Sequence, residues 1–170
     1  PALPCGPTAV PSSNHAVPPR CRRFCGLQPV PERTYIMGLS MGGYGAMKCA
    51  FTAPQQYAGC AGFSSVAEIQ AELPQLCRWH EDQAIFPHGN VPPQDDLIDL
   101  VEKFRDGTCT MPRLFLACGQ QDSLYPANLR LRDTLQAMNW PLTWYEASGD
   151  HNWFFWNDAL GRAMKELLEN

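Results

Sequence analysis

Charge and long hydrophobic runs are both scarce in this chain of 170 residues. Asp, Glu, Lys and Arg supply only 18% of the sequence against 45% hydrophobic residues, which excludes a charge-extended or disordered chain and suits one globular unit with a sizeable core. No apolar run approaches the roughly 20 residues that a bilayer crossing needs. The N-terminal stretch also lacks the charged, apolar and small-residue succession of a secretory leader. Together these absences predict a soluble, cytoplasmic protein without a membrane partner. Basic residues are thin as well: apart from the short cluster at Arg20–Arg23 no Lys/Arg run exists, and the net charge is -4. A nucleic-acid partner leaves a basic footprint, so none is expected, and a small-molecule ligand fits better. The oligomeric state leaves no mark on the sequence.

Cysteine is not scarce, but its spacing is uninformative. The eight cysteines fall irregularly, and a chain this large and apolar does not need disulfide stapling, so reduced thiols are expected. Cys21 and Cys25 lie near His15, yet no second ligand pair follows at zinc-site spacing, and neither a metal nor a cofactor is expected.

Residues 1–32 are loaded with proline, lack a sustained period of 2 or 3.6, and read as an irregular lead-in. From residue 33 to 170 the pattern alternates. Thr34–Met37 reads as a strand, Met41–Phe51 as a helix stopped by Pro54, and Ala58–Ser65 as a second buried strand. Val66–Pro93, interrupted by prolines, reads as a surface excursion with short helices. Asp95–Phe104 then places Leu97, Ile98, Leu100, Val101 and Phe104 on one helical face. Pro112–Gly119 is a continuous apolar run of the kind buried on both faces of a parallel sheet. A helix over Asn128–Met138, a strand over Pro141–Ser148 and a closing helix over Trp153–Leu168 complete the cadence of an α/β domain.

Gly38, Ser40 and Gly42 form a GxSxG pattern where a strand ends and a helix begins. A nucleophile on so tight a turn needs small neighbours two before and two after, so that strand and helix can approach, and Gly43 and Gly45 extend the same packing. The helix N-terminus behind Ser40 favours developing negative charge. A plainer reading makes the glycines a tight turn and Ser40 an N-cap.

A serine hydroxyl needs a base, and the base an orienting carboxylate. Of the four histidines, His15 lies in the lead-in and His80 and His88 in the excursion, whereas His151 sits between the last strand and the last helix. That is the edge where a parallel sheet presents its ligands. Asp122 follows the apolar strand ending at Cys118 and precedes a helix, so it takes the carboxylate role. Asp150, adjacent to His151, would point away from the ring, and Glu146 lies within a strand. Ser40, Asp122 and His151 thus follow the chain order nucleophile, acid, base of α/β-hydrolases.

The segments GLSMGGYGAMK, LPQLCRW with EKF, PRLFLACGQQDSLY and GDHNWFFWNDAL resemble the esterase D type of α/β-hydrolase, in particular its bacterial tributyrin esterase or acetyl esterase branch, from about Thr34 to the C-terminus. The resemblance implies the C-terminal portion of a mainly parallel sheet flanked by helices. It implies a triad of Ser40, Asp122 and His151 and hydrolysis of short-chain acyl esters without a cofactor. S-formylglutathione hydrolases and feruloyl or acetyl xylan esterases belong to the same family. The oxyanion is expected to be held by the Met41 N–H and by a second donor from an earlier loop. Only 33 residues precede Thr34 and they contain no HGG-like turn, so that second donor is expected to be missing and turnover weak or absent. The other classes consistent with the sequence are a noncatalytic hydrolase-like binding domain, with Trp79, Trp140, Trp144, Trp153, Phe154, Phe155 and Trp156 lining an apolar pocket, and an acyltransferase using the same triad.

Overall fold

The computed structural model describes residues 30–76, 86, 89–107 and 110–169. Most of the proline-rich lead-in, with His15, Cys21 and Cys25, lies outside the described residues, as do Trp79, His80 and His88 in the excursion.

Four strands, β1 (Tyr35–Leu39), β2 (Gly59–Phe63), β3 (Arg113–Gly119) and β4 (Leu142–Ala147), form one parallel sheet in the order β1-β2-β3-β4. The register aligns Leu39 with Phe63, Phe63 with Ala117, and Gly119 with Ala147, so the residues that follow each strand emerge along a common edge. Helices α1 (Met41–Thr52), α2 (Ile69–Leu76), α3 (Leu97–Glu102) and α4 (Tyr125–Ala137) lie in the connections between strands, and α5 (Trp153–Leu168) follows β4. Among the described residues, β1 pairs only with β2.

Side chains alternate along each strand, and the two halves of each pattern feed separate cores. Cys60, Leu114 and Leu116 face Met47, Phe51, Leu97, Val101, Leu131 and Leu135 from α1, α3 and α4. Ala61, Phe63, Phe115 and Ala117 face Phe155, Trp156, Ala159, Ala163 and Leu167 from α5. This double burial explains why PRLFLACG shows no polar alternation. On the first face Trp140 packs its ring 5.1 Å from Phe51 and 4.8 Å from Phe104, and its Nε1–H donates to the Pro112 carbonyl.

Element boundaries differ from the sequence reading where capping chemistry intervenes. Asp96 caps α3, its Oδ1 accepting from the N–H groups of Ile98 and Asp99, so that α3 begins two residues later than the apolar pattern suggests. The helix α4 starts at Tyr125 rather than Asn128, because Pro126 has no N–H to lose in a first turn. In the excursion the backbone stays helical through Pro74.

A Cβ built on Gly38 would lie 2.1 Å from the Gly42 carbonyl oxygen, and one on Gly43 would lie 2.2 Å from Ser65 Oγ. Gly42 and Gly45 correct the sequence reading, since a Cβ on either meets nothing within 4 Å. Gly42 serves the turn through its carbonyl, which occupies the space Gly38 leaves, and not through its own lack of a side chain. Gly38→Ala is therefore expected to destabilise the domain by about 2–3 kcal/mol or more, as overpacking against backbone does. Gly42→Ala should fall within about 1 kcal/mol of the parent, helped by its helix propensity. Urea unfolding of the two variants checks the contrast.

Candidate active site

Ser40 follows β1 directly and holds φ 54°, ψ −124°. A non-glycine residue there costs on the order of 1–3 kcal/mol and persists only when its surroundings impose it. Here they do. The Ser40 N–H donates to the Phe63 carbonyl, while the Ser40 carbonyl accepts from Gly43, Tyr44 and Val66. Both peptide groups are thus fixed by α1 and by the chain leaving β2. The plainer N-cap reading fails, because the Ser40 side chain makes no capping hydrogen bond.

The hydroxyl turns instead toward His151, with Ser40 Oγ 3.0 Å from Nε2. On the other side of the ring, Nδ1 lies 2.8 Å from Asp122 Oδ2. An ionised carboxylate can only accept, so Nδ1 carries the hydrogen and Nε2 presents its lone pair to the serine hydroxyl. The three side chains expected from sequence lie in one hydrogen-bonded line. The Asp122 side chain is fully buried and that of His151 is 33% exposed, so the line runs from interior to solvent.

Each member is held by groups that the sequence did not single out. Asp122 Oδ1 accepts from the Leu124 N–H, which leaves Oδ2 to face the imidazole. Gln121 joins the two loops: its N–H donates to the Gly149 carbonyl, and its Oε1 accepts from the Gly149 N–H and the Ser148 hydroxyl. A Cβ on Gly119 would meet the Gly149 carbonyl at 2.3 Å, so the loops approach as closely as the glycines permit. Asn128, fully buried, donates to the carbonyls of Ser65 and Leu124 and ties α4 to the segment behind Ser40. A glycine at a strand end was the one available hint. Asp150 is placed as the sequence reading held, its carboxylate accepting from the His151 backbone N–H, not from the ring. Glu146 likewise stays on β4, accepting from Tyr125 and Trp144.

Met41 occupies the first position of α1, where a backbone N–H has no intrahelical acceptor, and its side chain is 44% exposed beside Ser40. The aromatic residues do not form one pocket. Trp140, Phe155 and Trp156 are buried, whereas Trp153 and Phe154 are 62% and 92% exposed. A cavity of about 490 Å³ opens at the opposite end of the sheet, lined by residues including Pro31, Pro54, Tyr57 and Arg113. It holds no part of the polar line. Among the described residues no group of three His, Cys, Asp or Glu side chains is placed to hold a metal, and no helix is long and apolar enough to cross a membrane. Cys49, Cys60 and Cys118 are free thiols.

A parallel sheet with helices on both faces and a serine on a strained strand-to-helix turn define the α/β-hydrolase class. The family model described as "Putative esterase" matches residues 15–167, and the chain belongs to that esterase family. It is 30% identical over 149 residues to an acetyl esterase of Caldicellulosiruptor saccharolyticus, covering 81% of this chain and 56% of that protein. Among solved structures, fluorophosphonate-binding serine hydrolase F of Staphylococcus aureus superposes with a TM-score of 0.81 at 28% identity, covering 92% of this chain and 62% of that one. An S-formylglutathione hydrolase of the same organism gives a TM-score of 0.72 at 29% identity, covering 88% and 56%. The chain thus spans little more than half the length of these relatives.

Glu72 on α2 stands near this line without joining it. Its Oε2 is buried without a hydrogen-bond partner. Burial, with the charges of Glu68 and Asp122 and against the pull of Arg130, raises its carboxyl from the ordinary 4.5 to about 7. An acid whose pKa rises on folding favours the folded state fully at low pH, and that contribution is lost as pH rises through the folded value. Thermal unfolding should therefore show Glu72→Gln melting above the parent at pH 8, with the gap closing toward pH 5.

Proposed function

We propose that this chain carries a serine carboxylesterase centre for short-chain acyl esters, on the unit 33–170, in which Ser40 is the nucleophile, His151 the base and Asp122 its orienting acid. The observation that carries the proposal is the continuous line from Ser40 Oγ through His151 to Asp122, at 3.0 and 2.8 Å. Both distances lie within the range in which a proton passes between heteroatoms.

Ser40 Oγ attacks the ester carbonyl as His151 Nε2 takes its proton, and the imidazolium forms beside the Asp122 carboxylate. The C–O bond to the alcohol breaks, Nε2 returns the proton to the leaving oxygen, and the acyl group remains on Ser40. Water then attacks the acyl-enzyme with Nε2 as base, which releases the acid and restores the hydroxyl. The oxyanion faces the Met41 N–H at the start of α1, where the helix dipole adds to the donor. Acetyl and other short acyl groups are assigned from the acetyl esterase relative. The same line would cleave a thioester such as the one named for the S-formylglutathione hydrolase relative, so S-formylglutathione is the second substrate to assay.

Purified protein should release p-nitrophenol from the acetate and butyrate esters in a Ser40-dependent manner, with Ser40→Ala at background. Equal rates in parent and variant, with no labelling of Ser40 by an organophosphonate, would leave a noncatalytic hydrolase-like domain. Asp122→Asn should lower kcat about ten-thousand-fold, because an amide that donates to Nδ1 favours the wrong imidazole tautomer.

A further inference from the structure

An exposed aromatic side chain, Trp153, lies one ring contact beyond the imidazole. His151 meets the buried Trp156 ring edge-to-face with centroids 4.9 Å apart, and Trp156 meets Trp153 in the same manner at 5.5 Å. Trp153 itself is 62% exposed. Asn152 fixes the start of α5, its side chain accepting from the N–H groups of Phe154 and Phe155, so the direction in which Trp153 leaves the helix is set. An indole this exposed, one ring contact from the polar line, is available to a ligand.

Chemistry decides which half of an ester this surface serves. The proton taken from Ser40 must return to the leaving oxygen, which therefore comes within about 3 Å of Nε2. An indole one ring contact beyond the imidazole is therefore within reach of a ring carried by the alcohol. The acyl carbon is bonded to Ser40 Oγ, and its oxygen faces the Met41 N–H at the start of α1. Resting on the esterase reading above, we propose that Trp153, backed by Trp156, is the leaving-group subsite, and that it selects esters of aromatic alcohols over those of small aliphatic ones. Ring stacking on an exposed indole supplies a preference that methyl or ethyl groups cannot obtain.

Methyl acetate and benzyl acetate share an acyl group, so their deacylation steps are identical and the ratio of their kcat/KM values isolates the alcohol. Trp153→Ala should lower the benzyl-to-methyl ratio about tenfold, chiefly through KM for the benzyl ester, while Trp153→Phe keeps the ratio within about threefold of the parent. Met164→Ala, also exposed on α5 but remote from the imidazole in sequence, should leave the ratio as in the parent. A second measurement does not depend on turnover: in the Ser40→Ala protein, the Trp153 indole N–H resonance, assigned by its loss in Trp153→Phe, should shift saturably with benzyl alcohol. A parent with no esterase activity overturns the esterase reading and leaves the subsite to the indole titration. An unchanged ratio in Trp153→Ala, or an indole resonance indifferent to benzyl alcohol, overturns the subsite.

Discussion

The contact between Gly38 and the Gly42 carbonyl sets the geometry on which the rest of the site depends. With the carbonyl 2.1 Å from where a Cβ would stand, the last turn of β1 and the first turn of α1 are closer than any side chain at residue 38 allows. The residue between them has no relaxed conformation available, and Ser40 takes φ 54°. Three N–H groups on its carbonyl hold it there, so the strain is borne by the sheet and by α1 together. A half-buried hydroxyl at the head of a helix is the outcome. The neighbouring strand repeats the device: Ser64 also has positive φ, at 45°, and the buried Ser65 fills the space left by Gly43 and Gly62.

Against this fixed serine the other two side chains must arrive from loops far apart in sequence. The parallel register brings them near, since Gly119 and Ala147 end their strands side by side. Register alone does not set a hydrogen-bond distance. Gln121 and Gly149 do so through a reciprocal backbone-to-backbone and side-chain-to-backbone clamp, with bonds of 2.9 and 2.7 Å. A side-chain amide inside a loop behaves here as an extra peptide group and makes two independent loops one rigid piece.

Much of this was legible in the sequence. Spacing and order pointed to Ser40, Asp122 and His151 as one set, and the structure brings the three side chains together, because a parallel sheet aligns the loops beyond its strand ends and the apolar runs mark those ends. The closing helix Trp153–Leu168 was read to the residue. Helix starts at Asp96 and Tyr125 were missed where a cap or a proline outweighed periodicity. The Gln121 clamp and the Asn128 tie had no local signature, since each joins residues 28 or more apart and the donor types are ordinary loop residues. Gly42 and Gly45 looked like Gly38, and only a spatial test of what each Cβ would meet separates them.

The gradient of exposure along the polar line has a chemical consequence of its own. Asp122 is fully buried and His151 is one-third exposed. A buried carboxyl without partners would be costly, and here the Leu124 N–H and the His151 ring supply them. In the proposed mechanism, where His151 takes the serine proton, positive charge would appear between the Asp122 carboxylate and solvent. The nearer pole has low dielectric and fixed orientation, so the attraction strengthens where charge develops and requires no reorganisation. The exposed side of the ring remains open to a leaving group and then to water. On that mechanism, burial at one end and access at the other would let one imidazole both accept the proton of Ser40 and hand it on.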